Sequence, residues 1–329
     1  MFESPLFWPA HWHLPAGRQE IKTLMVLDET LLPGKLHYIP VKRVAEAVEI
    51  IKTMKTRAFG QFLVVLNTFT LEMHRIPAKS KIDLKTIEDI AQALNNSRPT
   101  FPFTEVTGII VGVAQKTSVH GADVRAAVLK TVDGFLHGIR QRRTQRVKEL
   151  AASFQDGDTI LTHCNVSGEL AMACSIAKGE GKKIHVFATE TRPYLQGAKL
   201  TVWELQQAGI SVTLVADNAV GSLMSEKMVT KVVIGSDRSA ANGDIANKIG
   251  SYQIAVLAKE FGIPLIALTQ PSNKIPNGKS IPIEQRSPHE VLIYERKRLF
   301  PSGVEGFYPG FDVVPHELIK KAIPINAGL

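Results

Sequence analysis

One stretch of the sequence decides the fold class: residues 159–190 read TILTHCNVSGELAMACSIAKGEGKKIHVFATE. Two short apolar runs, TILTH and KIHVFAT, enclose a segment with the pattern of a helix. Neither run alternates between apolar and polar residues, so each predicts a strand that is buried on both faces. The stretch therefore predicts a strand–helix–strand unit of a parallel sheet.

The same alternation continues to residue 270. SVTLVA, KVVIGSD and PLIALTQ predict three further strands, and LTVWELQQAG, AVGSLMSE and IANKIGSYQIAVLAKEFG predict helices between them. Residues 1–118 are instead mostly helical in pattern, with apolar residues at helical spacing from Val41 to Met54 and again after Asp83, a predicted N-cap. A long helical pattern runs from about residue 122 to residue 154. The chain is predicted to be α/β.

Composition excludes several classes of protein. The chain has 329 residues, of which 44% are hydrophobic and 21% charged, enough apolar residues for a large core. No apolar run reaches the ~18 residues of a membrane span, and the N-terminal stretch lacks the pattern of a secretory signal. The two cysteines, ten residues apart, form neither a disulfide framework nor a metal motif. We therefore expect a cytoplasmic protein with free thiols and no membrane contact.

The net charge of +8 allows either nucleic acid or a small anion as ligand. The basic residues are scattered and are not interleaved with aromatic residues, which makes nucleic acid unlikely. The densest basic group, Gly138 to Leu150, is interpreted as the exposed face of a helix. An anionic substrate such as a phosphate ester accounts for the charge equally well.

Motifs for dinucleotides and metals are missing. No G-x-G-x-x-G follows a predicted strand, and NKIPNGKS (Asn273 to Ser280) departs from the phosphate-loop pattern at its first glycine. The ten histidines show no H-E-x-x-H spacing. The sequence therefore predicts neither a metal nor a cofactor.

Polar residues follow each predicted strand. In open parallel sheets the ligand lies beyond the carboxyl ends of the strands, so these residues are expected to meet at one edge. They are Cys164, Glu190, Asp217, Asp237 and Gln270. Cys164 is either a small buried residue or a thiol made reactive by polar neighbours and by a helix that begins just after it. Cys174, among alanines, is interpreted as packing.

A second set of residues could hold a phosphate. Asn247 and Lys248 are predicted to begin a helix after a turn that Asp244 caps, and a helix N-terminus with an ammonium group attracts anions. Arg57, Arg98 and Gln196 lie in segments rich in glycine or proline; each alone is more often a surface residue. Asp237 could equally cap a turn.

Together, one thiol, one carboxylate and several groups suited to phosphate suggest proton transfer on a sugar phosphate. Aldose–ketose isomerisation needs an acid and a base near adjacent carbons. It needs no cofactor if fixed dipoles stabilise the enediolate.

Long motifs resemble a known family. LTHCNVSGELA, ETRPYLQGAKLTVWEL, VTLVADNAVGSLM, VVIGSDRSAANGDIANKIGSYQIAVLAKEFGIP and IPIEQR with FDVVPHELI are similar to the 5-methylthioribose-1-phosphate isomerases. The wider family includes archaeal ribose-1,5-bisphosphate isomerases and the regulatory alpha, beta and delta subunits of translation initiation factor two-B. The resemblance is dense from Thr159 to His316 and sparser from Leu31 to Thr100.

The resemblance implies a helical N-terminal domain over residues 1–118 and a Rossmann-like catalytic domain with a mainly parallel sheet over residues 119–329, in a homodimer. It implies that Cys164 and Asp237 are the catalytic pair. The regulatory subunits generally do not keep both residues, so their presence here favours an enzyme. It also implies substrate and phosphate binding by Arg57, Ala58, Arg98, Gln196, Asn247 and Lys248. The reaction would convert a furanose 1-phosphate into the ketose 1-phosphate without a metal or cofactor.

The sequence departs from the family at three places. RAFGQF (Arg57 to Phe62) replaces a longer loop of small residues, GSDRS replaces Gly-Ala-Asp-Arg-Ile, and ALTQPSNKIPNGKSIPI replaces a stretch that usually carries an alanine-proline and a Ser-Thr. The two variable loops are expected to lie near the sugar's C5 group. Methylthioribose 1-phosphate is the first expectation for the substrate. A 5-deoxy sugar, a bisphosphate, and a non-catalytic regulatory protein stay open, as does which member of the pair takes the C2 proton.

Overall fold

The computed structural model describes residues 2–13, 23–77, 80–99, 101, 103–294, 297–298 and 300–325. Thr100, the end of the sparser resemblance, lies outside these residues. The chain divides into two compact units: an N-terminal unit, Pro5–Gln141, and a C-terminal unit, Met1–Ser4 with Arg142–Leu329. This boundary lies within the helix predicted to link the two domains; the predicted boundary at residues 118 and 119 lies before that helix.

The N-terminal unit packs its helices around one central helix. Its helices are α1 (Val44–Lys52), α2 (Ala58–Arg75), α3 (Leu84–Ser97), α4 (Phe103–Val119) and the first part of α5 (Val124–Ala152). Apolar residues surround α2 on most sides, and Leu63, Val64 and Phe69 are fully buried. The Asp83 carboxylate accepts a hydrogen bond from the Lys85 N–H, which confirms the predicted N-cap of α3.

The sequence did not predict the antiparallel sheet of this unit. It consists of β1 (Ala10–His13), β2 (Thr23–Leu27) and β3 (Tyr38–Val41), in the order β1–β2–β3. Each strand has only four or five residues, and β3 contains Pro40, so the local strand signal is weak.

The C-terminal unit is built on a six-stranded sheet in which every pairing is parallel. The strand order is β15–β10–β7–β4–β5–β6. The bounds are β4 (Thr159–His163), β5 (His185–Thr189), β6 (Ser211–Val215), β7 (Lys231–Ile234), β10 (Leu265–Thr269) and β15 (Lys321–Pro324). The five predicted strands and the α/β fold class are confirmed; the sixth strand, β15, was missed.

Helices connect the parallel strands. They are α6 (Glu169–Gly179), α7 (Val202–Gln207), α8 (Val220–Ser225) and α9 (Ser251–Glu260), with the short α10 (His289–Leu292) further along. A π-helical turn, Gly197–Thr201, leads into α7. None of the helices in the described part of the chain combines the length and the apolar composition that a membrane-spanning helix needs.

One predicted helix start is wrong. Asn247 and Lys248 lie in strand β9 (Ile245–Lys248), and α9 begins only at Ser251, after Gly250 with φ of 103°. Tertiary pairing explains the difference: β9 runs between β8 (Arg238–Ala240) and β14 (Phe311–Val314), and Asn247 pairs with Asp312. Asp244 therefore does not cap a helix. Its carboxylate accepts from the backbone N–H groups of Gly278 and His316.

Smaller strands complete the unit. β11 (Pro271–Ser272) pairs parallel with β8, giving a second sheet in the order β11–β8–β9–β14. β12 (Ile293–Tyr294) and β13 (Lys297–Arg298) form a separate antiparallel pair.

The basic group on α5 is not simply an exposed face. Arg143 and Arg146 are 2% and 8% exposed, so the interpretation of residues 138–150 as a solvated helix side is wrong at these two positions. Both guanidinium groups bond the buried carboxylate of Glu169. The charged pattern of α5 could not reveal this burial, because the partner carboxylate, Glu169, lies on a different helix, α6.

Candidate active site

The order of the parallel sheet brings Cys164 and Asp237 to one place. From β4 the chain adds β5 and β6 on one side and β7, β10 and β15 on the other, so the order reverses between β4 and β7. His163 at the end of β4 pairs with Ile234 at the end of β7. Cys164 directly follows β4, and Asp237 follows β7 after Gly235 and Ser236. Ligands of open parallel sheets bind at this switch point.

The two loops that carry Cys164 and Asp237 are in contact. A Cβ atom placed on Gly235 would lie 3.1 Å from Cγ1 of Val166, closer than nearly all side chains approach one another. The glycine therefore permits the close approach of the two loops. Glu190, Asp217 and Gln270 follow β5, β6 and β10 at the same edge, which confirms the predicted convergence of the strand ends.

Cys164 is held in a strained backbone conformation. Its φ is 63°; within the described residues, six residues other than glycine have such values, and four of them lie in the loops after β4 and β5. Such strain persists only where surrounding contacts fix it, and it is concentrated at functional sites. Here the Thr191 hydroxyl accepts from the Cys164 N–H at 2.9 Å, and the Thr201 hydroxyl donates to the Cys164 carbonyl at 2.6 Å.

The helix expected just after Cys164 begins at Glu169, so Cys164 is not at its N-terminus. Asn165 holds the intervening loop: its amide Nδ2 donates to Glu204 at 2.7 Å, and its Oδ1 accepts from the Ser167 N–H at 2.9 Å. Cys174, in contrast, is fully buried in α6, and burial strongly raises the pKa of its thiol. The interpretation of Cys174 as a packing residue is confirmed, and Cys164 is half-buried.

Asp237 is fixed through its backbone. Its N–H donates to the Ala246 carbonyl at 2.9 Å, and its own carbonyl accepts from the Gln270 side-chain amide at 3.1 Å. The same amide donates to the Ser236 carbonyl at 3.1 Å. Gln270, at the end of β10, therefore sets the path of the Asp237 loop.

Lys248 places a buried positive charge in the C-terminal unit. It is 7% exposed, and its Nζ lies 4.5 Å from the ring centroid of Phe311 and 5.6 Å from that of Tyr194. Among the described residues no carboxylate lies within ion-pair distance of this ammonium. Within the described residues, the Oε1 atom of Gln196 is buried without a hydrogen-bond partner, and this oxygen could accept from a hydroxyl group of a ligand. The buried Lys248 cation without an anion suits an anionic ligand.

Asn247, the neighbour of Lys248 in β9, has a more local role. It is 4% exposed, and its amide Nδ2 donates to the Ser251 hydroxyl at 2.8 Å. This bond joins β9 to the first residue of α9.

Arg57, Ala58 and Arg98 come together within the N-terminal unit. Arg57 precedes α2, which starts at Ala58, and its Nε lies 2.5 Å from a Glu29 carboxylate oxygen. Gln61 is fully buried; its amide donates to the Thr56 carbonyl at 2.9 Å, and its Oε1 accepts from Arg98 at 2.8 Å. The glutamine that departs from the family pattern thus links the two arginine-bearing segments.

Sequence patterns missed Tyr308. It is 4% exposed, its ring lies 6.2 Å from that of Tyr194, and among the described residues its hydroxyl has no hydrogen-bond partner. Burial raises the pKa of this hydroxyl. The Tyr194 ring that it contacts also lies 5.6 Å from the Lys248 ammonium. No motif or spacing signals a tyrosine 144 residues after Cys164 in sequence.

His163 was also missed. It is buried, and its Nε2 lies 2.8 Å from the Ile249 carbonyl while its Nδ1 lies 2.6 Å from the Thr189 hydroxyl. Burial lowers its pKa, so the imidazole is neutral at pH 7. Because a carbonyl only accepts, Nε2 carries the proton and Nδ1 accepts from Thr189. The ring ties the end of β4 to β5 and to the segment before α9.

One group of metal-ligand types occurs within the described residues. Asp244, His316 and Glu317 place their ligand atoms within 4.8 Å of one another. The His316 Nδ1 is already 2.9 Å from the Asp244 carboxylate. His316 and Glu317 are exposed, and exposed acidic groups commonly occur without a bound ion.

Comparisons with known proteins show the family of the chain. A profile described as Initiation factor 2 subunit family matches residues 57–326. A methylthioribose-1-phosphate isomerase of Desulforudis audaxviator is 38% identical, over 93% of this chain and 91% of its own. A 5-deoxyribose 1-phosphate isomerase of Moorella thermoacetica is 35% identical, over 91% and 89%.

A solved structure is similar over nearly the whole chain. The delta subunit of translation initiation factor eIF-2B from A. fulgidus has a TM-score of 0.82 and 29% identity, and the match covers 97% of this chain and 94% of that one. Because profile and relatives both match along most of the sequence, the chain belongs to the initiation factor 2 subunit family, in which it is grouped with the methylthioribose-1-phosphate isomerases.

Proposed function

We propose that the chain is an isomerase that converts 5-methylthioribose 1-phosphate into 5-methylthioribulose 1-phosphate, a step of methionine salvage. The observation that carries this proposal is the placement of Cys164 and Asp237 on the ends of adjacent strands, at the switch point of the sheet. The isomerases among its relatives match the chain along nearly its whole length, which supports the same reaction here.

The reaction proceeds in two steps, each with one proton removed and one proton added. In the first, a base takes the C2 proton, the C–H electrons form a C1–C2 double bond, and the C1–O bond of the ring breaks as its oxygen takes a proton. In the second, the 2-hydroxyl loses its proton, C1 gains one, and the ketone forms at C2. One acid and one base close together can serve both steps. We assign these roles jointly to Cys164 and Asp237.

The buried cation and the amides of the site serve the phosphate in this proposal. Among the described residues Lys248 offers an ammonium without a carboxylate partner, and the family resemblance adds Gln196 and Asn247 of the same unit to the phosphate site. The family resemblance also implies substrate binding by Arg57, Ala58 and Arg98, which belong to the N-terminal unit, where α2 begins at Ala58.

The C5 group of the sugar is the finer question. The relative named for methylthioribose 1-phosphate is 38% identical, and the relative named for 5-deoxyribose 1-phosphate is 35% identical. Sequence identity therefore favours methylthioribose 1-phosphate only slightly. Ribose 1,5-bisphosphate is a third candidate, which the net charge of +8 favours. A regulatory role without catalysis is the alternative class, since a structure similar over the whole chain is an initiation-factor subunit.

One assay separates these functions. The pure protein is incubated with each of the three sugar phosphates, and the ketose product is followed by NMR. We expect turnover of methylthioribose 1-phosphate to be the fastest. Faster turnover of another sugar would change the substrate, and no turnover of any of the three would overturn the isomerase proposal in favour of the regulatory role.

We also propose that the protein works as a homodimer in the cytoplasm. The family resemblance supports the dimer, and the two free cysteines suit a reducing compartment. Nucleic acid is not part of the proposed function.

A further inference from the structure

Two arginines of α5 and the first residue of α6 form a buried ionic cluster. Glu169 is 1% exposed, and its two carboxylate oxygens lie 2.5 Å from Nε of Arg143 and 2.6 Å from Nε of Arg146. Burial alone would raise the pKa of this carboxyl, but the guanidinium groups of Arg146 and Arg143 bring it below its usual value. Glu169 is therefore ionised, and we call this group the Arg143–Arg146–Glu169 cluster.

The cluster bonds the loop that carries Cys164. The Nη2 atom of Arg143 donates to the Ser167 carbonyl at 2.8 Å. Ser167 has a φ of 51°, one of the strained conformations in this loop, and its N–H is held by Asn165. Because Glu169 also lies at the end of the loop, the cluster fixes two points between Cys164 and α6.

The cluster also reaches the loop that carries Asp237. The Nη1 atom of Arg146 donates to the carbonyl of Thr269, the last residue of β10, at 2.9 Å. The next residue, Gln270, donates from its side-chain amide to the carbonyls of Ser236 and Asp237. The cluster is thus connected to the backbone of Asp237 through Thr269 and Gln270, which are adjacent in the chain.

We propose that the Arg143–Arg146–Glu169 cluster is the positioning element of the catalytic pair, holding the Cys164 and Asp237 loops at a fixed separation. The inference rests on the proposed isomerase function. Buried ion pairs are weak sources of stability, and apolar residues of equal volume often stabilise a protein as well or better. Apolar residues cannot bond carbonyl groups in two loops at once, whereas a guanidinium fork can bond a carboxylate and a carbonyl together.

The test compares Arg146→Lys with a matched control. Lysine keeps the positive charge, but its single ammonium group cannot bond the Glu169 carboxylate and the Thr269 carbonyl as the guanidinium group does. One of these two hydrogen bonds is therefore lost. The control is Lys231→Met, which breaks a second ion pair of the same unit: the Lys231 ammonium lies 2.6 Å from the Asp158 carboxylate. This pair lies at the amino ends of β7 and β4, the opposite ends of the strands that lead to Asp237 and Cys164.

The expected result is a change in kcat with little change in KM. A small displacement of reacting groups is enough to slow chemistry strongly, so Arg146→Lys should lower kcat by about 10- to 100-fold with KM within about threefold. Lys231→Met should keep kcat within about twofold of the unmodified chain, even if it lowers the melting temperature as much as Arg146→Lys does. Unchanged kcat in Arg146→Lys, or an equal loss of kcat in Lys231→Met, would overturn the proposal.

A milder variant serves if Arg146→Lys does not fold. Gln270→Met removes only the amide that holds the Asp237 loop, and Gln270 is exposed, so folding should be kept. We expect kcat to fall by about tenfold, again with little change in KM. A folded Gln270→Met enzyme with the kcat of the unmodified chain would contradict the positioning role.

Hydrogen exchange separates this inference from the proposed function, because it needs no substrate. Peptides covering residues 164–168 and 235–239 should exchange faster in Arg146→Lys than in Lys231→Met. If that difference appears in a chain that turns over none of the three sugars, the isomerase proposal fails while the positioning of the loops stands. If the chain is active and the exchange rates of the two variants agree, the positioning inference fails.

Discussion

Cys164 shows how a single residue gains its chemistry from its position. The residue follows a buried strand and its backbone has a φ of 63°. Its N–H donates to the Thr191 hydroxyl, and its carbonyl accepts from the Thr201 hydroxyl. Cys174, ten residues further along, has none of these features and is fully buried within α6. The same residue type is therefore a candidate acid or base at one position and a packing group at the other.

Cys164→Ser and Asp237→Asn should each lower kcat by about 10²- to 10⁴-fold, because each removes one partner of the proton transfers. Both changes are nearly isosteric, so circular dichroism and the melting temperature should stay close to those of the unmodified chain. Turnover is measured by NMR with methylthioribose 1-phosphate. Near-normal activity of either variant contradicts the assignment of the pair.

Tyr308 and Tyr194 allow a matched test of hydrogen bonding. In the described part of the chain the Tyr308 hydroxyl is buried without a hydrogen-bond partner, and such a group costs roughly 1–3 kcal/mol. Tyr308→Phe should therefore leave the free energy of unfolding unchanged or raise it by about 1 kcal/mol. Tyr194 bonds both Arg286 and Glu290 through its hydroxyl, so Tyr194→Phe should lower that free energy by about 1 kcal/mol. Urea unfolding measures both; a large loss in Tyr308→Phe contradicts the unpaired hydroxyl.

At the scale of elements, α9 shows why its start could not be read from the sequence. IANK has apolar and polar residues that fit a helix as well as a strand, and it continues into a strongly helical segment. Pairing with β8 and β14 selects the strand. Gly250 then turns the chain into α9, and a Cβ atom at this position would lie 3.2 Å from the His163 ring.

Asp312, which bonds the start of α9, makes the stability of the folded state depend on pH. Its carboxylate accepts from the N–H groups of Gly250 and Tyr252 at the start of α9. Burial raises its pKa from 3.8 to about 6, although these backbone donors lower it. The folded state therefore binds this proton more tightly than the unfolded state does. The stabilisation is complete below pH 4 and is lost as the pH rises through about 6.

Asp312→Asn removes this titration. The difference in unfolding free energy between the unmodified chain and this variant should fall as the pH rises from 4.5 to 7.5. Urea unfolding of both proteins at the two pH values measures it. A difference that is constant or increases with pH contradicts the raised pKa.

At the scale of the whole molecule, the proposed assembly is the clearest test. A homodimer has twice the 36.1 kDa of one chain, or about 72 kDa. We expect light scattering after size exclusion to give this mass across a tenfold range of concentration. A mass near that of a single chain would show that the homodimer expected from the family resemblance does not form here.

The sequence by itself determined the parallel sheet, the capped helix α3, and the positions of Cys164 and Asp237 beyond strand ends. These features follow from local patterns: unbroken apolar runs, the 3.6-residue period and cap residues act over a few residues. The long motifs added the family and the expected site residues.

Only the tertiary structure decided the strand order that places Cys164 beside the Asp237 loop, the choice of strand over helix at Asn247 and Lys248, and the burial of Arg143 and Arg146. It also decided that Tyr308 packs against Tyr194, which lies far earlier in the chain. Each of these depends on contacts between residues distant in sequence, and a local pattern carries no information about which distant partner a strand end or a charged side chain will meet.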